Sequence, residues 1–114
     1  MAFSKTIQMY IKVTRGASSK GVIVPDGFAV FKDSKIASST VPSMSASLIK
    51  LRTSLIEKGI IDSNFCFTKD YIFTSPSLAA AIVMGRNANG RIEWKTEDHT
   101  SIKDIEEKLW KLNS

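Results

Sequence analysis

The chain has 114 residues, 43% hydrophobic and 24% charged, and its 16 Lys and Arg against 11 Asp and Glu give a net charge of +5. This length suits one domain with its own core, and the composition excludes a largely disordered chain. No apolar run approaches the roughly 20 residues that span a bilayer, and residues 1–6 carry one Lys and no apolar segment of the secretory kind, so a cytoplasmic protein with no membrane partner is expected.

Residues 6–14 open the chain as a strand: Ile7, Met9, Ile11 and Val13 alternate with Gln8, Tyr10, Lys12 and Thr14. Residues 15–21 are small, polar and bounded by glycines, which predicts a loop. The run lacks the Gly-Lys-Ser/Thr ending of a phosphate loop, and a strand follows it instead of a helix. A short strand over 21–24, the turn Pro25-Asp26-Gly27 and a strand over 28–32 complete an antiparallel meander, with Phe28 and Val30 on one face.

Residues 33–42 read as a polar surface loop. A helix then begins at Pro42-Ser43 and ends at Lys58-Gly59, with Met44, Leu48, Leu51, Leu55 and Ile56 as its core stripe and Lys50, Arg52 and Lys58 on its solvated side. Ile60 and Ile61 re-enter the core. Residues 65–68 and 71–73 are two short aromatic strands around Lys69-Asp70, which predicts a small hairpin. Cys66 lies between two phenylalanines and reads as a small buried hydrophobe.

Residues 73–95 form the most ordered unit of the sequence. Ser75 suits an N-cap and Pro76 the first helical position, where no backbone N–H is needed. Ala79, Ala80 and Ala81 leave room for close packing, and Gly85 suits the left-handed residue that ends a helix. Asn89-Gly90 is a turn signal. Beyond it, residues 91–95 alternate as a strand would, placing Arg91, Glu93 and Lys95 opposite Ile92 and Trp94. After a polar loop over 96–100, a last helix starts near Thr100 or Ser101, with Ser101 and Asp104 spaced as a capping box. Ile102, Ile105, Leu109 and Leu112 form its apolar stripe, and Trp110 lies off that stripe.

Chemistry-bearing patterns are few. One cysteine, Cys66, and one histidine, His99, supply neither a metal cluster nor a Cys–His pair at recognisable spacing. No nucleophile elbow, triad order or dinucleotide fingerprint is present. The pattern that remains is anionic recognition. A helix starting at Ser75-Pro76-Ser77 offers N–H groups and hydroxyls to a phosphate. Arg86, Asn87, Asn89, Arg91 and Lys95 follow, and Arg and Asn are suited to guanine and adenine edges.

The run Ser-Pro-Ser-Leu-Ala-Ala-Ala-Ile-Val-Met-Gly-Arg-Asn-Ala-Asn-Gly-Arg-Ile-Glu-Trp-Lys, residues 75–95, resembles the signature of a small bacterial domain of unknown function. That domain occurs after GIY-YIG nuclease domains and in restriction–modification proteins. The same run is similar to the restriction-enzyme-adenine-methylase-associated (RAMA) domain. Gly16-Ala17 with Lys20-Gly21, the run over 27–34, Leu55-Ile56-Glu57-Lys58-Gly59-Ile60 and the run over 67–73 extend the resemblance to residues 15–106. The resemblance implies a non-catalytic DNA-binding or specificity module, with modified DNA among its candidate ligands and a nuclease or methyltransferase subunit as a candidate partner. It implies no nuclease activity, because the chain has no Gly-Ile-Tyr or Tyr-Ile-Gly sequence.

The expected protein is one α+β domain over residues 1–114, a small antiparallel β-sheet with about three α-helices. It is expected to be no enzyme and to need no cofactor or metal. The candidate DNA contacts are Ser75, Ser77, Arg86, Asn87, Asn89, Arg91 and Lys95, with Arg15 and Lys20 as further candidates. The rival expectation is a protein-interaction or oligomerising accessory module, forming a homo-oligomer through Trp110 and the C-terminal helix.

Overall fold

The computed structural model describes residues 7–12 and 16–112. Four strands, β1 (Gln8–Lys12), β2 (Ser18–Val24), β3 (Gly27–Val30) and β4 (Tyr71–Phe73), lie side by side in that order, each antiparallel to its neighbour. The helices among the described residues are α1 (Ala46–Glu57), α2 (Pro76–Met84), the single turn α3 (Gly90–Glu93) and α4 (Ile102–Leu112). The class is α+β, as expected.

Of the alternation read over residues 6–14, the part in β1 decides the inner face of the sheet; Ile7, ahead of β1, is 53% exposed, and Val13 lies outside the described residues. Met9 and Ile11 are buried there with Phe28, Val30 and Phe73, and α2 supplies Ala79, Ala80, Ile82 and Val83 to the same core. Alanines let the α2 backbone come close to the sheet. At its end Gly85 takes φ +70°, and a Cβ there would lie 2.3 Å from the Ser39 carbonyl oxygen. Both the left-handed angle and the contact demand glycine. Ser75 caps α2 by accepting from the Leu78 N–H at 3.1 Å.

Several expectations change. Residues 18–20 are strand, not loop, because the buried positions of this stretch, Ser19 and Gly21, are small enough to pack where larger residues would not. A Cβ on Gly21 would lie 2.5 Å from the Phe28 ring, and the buried Ser19 hydroxyl donates to Lys35 O at 2.8 Å. The 33–42 segment is no surface loop throughout: Ile36 and Ala37 are fully buried, held by bonds from their N–H groups to Phe65 O and Val83 O. The 65–73 hairpin does not form. Phe67 and Cys66 make single bridges to Ile61 and Lys35, while β4 pairs with β3. Cys66 is half-buried rather than buried, its Sγ 3.7 Å from Asn64 O.

The expected helix over 42–58 is α1, and its N-cap is Ser45 rather than Pro42-Ser43. Ile56 lies at the edge of the stripe, 36% exposed. The larger departure is Arg52, assigned to the solvated side by spacing but buried in the fold. Its guanidinium donates to Ala37 O at 2.8 Å and lies 5.6 Å from the Phe65 ring centre. Arg52 therefore ties α1 to the buried 33–42 crossing. Arg52→Met keeps the stem but leaves that carbonyl unpaired, and should cost about 2 kcal/mol in urea unfolding. A loss within about 0.5 kcal/mol, the range of ordinary surface substitutions, would return Arg52 to the solvated side.

Candidate functional site

The start of α2, one part of the expected DNA site, is clasped by the residues that follow the helix. Asn89 caps α3 by accepting from the Arg91 N–H at 3.1 Å. The Gly90 N–H donates to Ser77 Oγ at 2.9 Å, and Trp94 Nε1 donates to Pro76 O at 3.0 Å. Trp94 is fully buried, stacked on Phe28 with ring centres 4.3 Å apart. Residues 91–95 are thus a helical turn and an exit, not a strand, which corrects the alternation. Ile92 is 47% exposed, while Trp94 turns into the core.

The expected contacts divide accordingly. Both hydroxyls, Ser75 and Ser77, accept backbone N–H bonds within the domain. Asn87 Oδ1 accepts from the Ser45 N–H at 3.1 Å, joining the loop after α2 to the start of α1. Arg86 pairs with Glu93 at 3.4 Å, and Arg91 pairs with Glu106 through Nε at 2.8 Å. Such half-exposed pairs add about 0–1 kcal/mol each, but they lower the local positive charge that the loop was expected to present. Lys95 differs. Its backbone exchanges both bonds with Tyr10, its side chain is exposed, and it belongs to neither of those ion pairs. Arg15 lies outside the described residues.

The strand register collects another set of cations. Residues directly opposite across antiparallel strands share a face. Tyr10 pairs with Lys20 on one side and with Lys95 on the other. One step past the Gly21–Val30 pair, the Phe31 N–H donates to Lys20 O at 2.9 Å. Lys95, Tyr10, Lys20 and Phe31 therefore form one row across the outer face of the sheet. The next row holds Lys12, Ser18 and Lys35, through the Lys12–Ser18 and Ser18–Lys35 pairs. These lysines are all exposed, and among the described residues none joins an ion pair within 4.0 Å. Tyr10 and Phe31 are half-buried, and Lys20 Nζ lies 5.8 Å from the Phe31 ring centre.

A half-open groove of about 520 Å³ runs along the β1 edge of this face, lined by Tyr10, Lys12, Lys95 and His99 together with Glu93 and Glu97. The turn at its end is held by Asp98. The Thr96 hydroxyl, and after it the Thr100 hydroxyl, hold the Asp98 carboxyl below its ordinary value. His99 follows in a left-handed conformation, φ +67°.

Sequence reasoning missed this basic face for an identifiable reason. β1 alone showed Tyr10 and Lys12 opposite the core residues. Lys20 and Lys35 were read as loop residues, so nothing aligned them with Tyr10 until the pairing was known.

Among the described residues, no group of three or more His, Cys, Asp or Glu is placed to hold a metal ion, and no helix is long and apolar enough to cross a membrane. A family model described as a domain of unknown function (DUF4357) matches residues 9–106. No curated protein and no solved structure matches the chain.

Proposed function

We propose, on the premise that this chain belongs to the DUF4357 family of domains of unknown function, that it is a non-catalytic DNA-binding or specificity module acting in the cytoplasm. The observation that carries the reading is the outer sheet face, where Lys12, Lys20, Lys35 and Lys95 stand exposed around Tyr10 and Phe31. Cations gathered on one surface neutralise phosphates and release counterions, so affinity falls with salt. The resemblance of residues 75–95 to restriction–modification modules supports a setting in restriction–modification or bacterial defence, beside a nuclease or methyltransferase subunit. Modified DNA is a candidate ligand on the same ground.

The centre of the proposed contact moves with the structure. Lys95 and Lys20 belong to the sheet face. Ser75, Ser77, Asn87, Asn89 and the paired Arg86 and Arg91 hold the scaffold beside it. Lys20→Glu with Lys95→Glu should weaken DNA binding at least tenfold at low ionic strength, and should lower the salt slope by about 2. Arg86→Ala with Arg91→Ala should leave both nearly unchanged. Fluorescence anisotropy across a salt series reads both. An affinity indifferent to the lysine pair, or lost with the arginine pair, would sink this placement.

One observation favours the rival, an oligomerising or protein-interaction module. Leu109 on α4 is 54% exposed, although spacing assigned it to the core stripe. The side chain of Trp110, the expected contact, lies outside the described residues. A dimer in sedimentation with no affinity for DNA would replace the first reading with this one.

A further inference from the structure

The lysines of the outer sheet face account for phosphate attraction but not for the aromatic residues placed among them. Across one row the order is Lys95, Tyr10, Lys20, Phe31, alternating cation and ring. Tyr10 lies on β1 and Phe31 immediately beyond β3. The rings are therefore anchored two strand spacings apart, about 10 Å. The row of Lys12, Ser18 and Lys35 runs alongside, about 7 Å further along the strands. The helix α2 packs on the opposite face, with Phe28, Val30 and Phe73.

A duplex meets such a surface poorly. Its bases are stacked inside, and reading the major groove calls for a protruding helix or ribbon. A sheet face presents neither, so a duplex would touch the lysines through its phosphates and leave the rings unused. A single strand uses both, because its bases stack on aromatic side chains while its phosphates follow the adjacent cations. The Lys20 ammonium over Phe31 is an exposed cation–π contact, weak enough for a base to take its place and free the lysine for a phosphate.

We infer that the outer sheet face binds single-stranded DNA, with unpaired bases stacked on Tyr10 and Phe31 and the backbone held by Lys12, Lys20, Lys35 and Lys95. This rests on the DNA-binding reading and narrows it to one form of DNA.

The test uses the whole chain, a labelled oligothymidylate of about 12 nucleotides, and a duplex of the same length. The single strand is expected to bind at least about tenfold more tightly than the duplex. Tyr10→Ala and Phe31→Ala should each weaken single-strand binding about tenfold and leave duplex binding unaltered. A strand substituted with iodouracil should photocrosslink to Tyr10 and Phe31 in the unaltered protein, which settles the matter even if an alanine variant does not fold. Duplex binding equal to or tighter than single-strand binding, with no crosslink to either ring, overturns the inference and leaves DNA binding standing. No binding of either form at low ionic strength overturns both.

Discussion

Trp94→Ala should be the most damaging single truncation in this domain, costing about 3–5 kcal/mol. Trp94 is fully buried, stacks on Phe28 and donates its indole N–H to Pro76 O at 3.0 Å. Alanine would remove the largest fully buried side chain among the described residues. It would also leave the Pro76 carbonyl without the indole donor. A domain of this size holds about 5–15 kcal/mol in total, so a large share of it would be lost. Urea unfolding should show the fall, and Trp94→Phe should separate its parts. Phenylalanine keeps a ring against Phe28 and loses the hydrogen bond, and should retain most of the stability. A Trp94→Ala loss below about 1 kcal/mol would mean that the clasp around α2 does not hold the fold together.

Gly90→Ala sets two physical effects against each other, and their magnitudes decide the sign. Gly90 opens the α3 turn, and alanine is the better helix former by about 1 kcal/mol. On propensity alone the substitution would stabilise. A Cβ at this position, however, would lie 2.2 Å from the Pro76 carbonyl carbon and oxygen and 2.4 Å from Ser77 N. All three are backbone atoms at the start of α2, with no flexible side chain to move aside. The overpacking term, about 1–3 kcal/mol and at its upper end here, exceeds the propensity gain. A net loss of about 2 kcal/mol or more is expected, with a weakened Gly90–Ser77 hydrogen bond. Gly59→Ala is the control. Gly59 has φ +76° and nothing within 4 Å of the added carbon, so its cost of about 1–2 kcal/mol comes from the backbone alone. If Gly90→Ala stabilises the domain, α3 does not lie against the start of α2 as described.

These two positions also explain what the sequence hid at the expected site. Asn89-Gly90 permits a hairpin turn and an Asn-capped helical turn alike. The residues after it, Arg91 to Lys95, alternate well enough to be a strand. The choice was made by distant partners: Ser77 Oγ receives the Gly90 N–H, and Phe28 receives the Trp94 ring. Neither partner is near in sequence. The buried Arg52 was hidden in the same way, because its acceptor, Ala37 O, lies in a segment whose composition reads as surface.

What the sequence determined by itself was local. The alternation of residues 8–12 in β1, the Ser75 cap with Pro76 behind it, the left-handed Gly85 and the reciprocal Ser101–Asp104 capping box formed as read. Each involves atoms within a few residues of one another, so local chemistry is sufficient. The tertiary structure decided that β4 pairs with β3 and that residues 90–93 coil. It also decided that Lys12, Lys20, Lys35 and Lys95 share a face with Tyr10 and Phe31. A side chain's face follows from its own strand, but its neighbours across the sheet follow from register. Register is fixed only when Met9, Phe28, Phe73 and Trp94 close on one core.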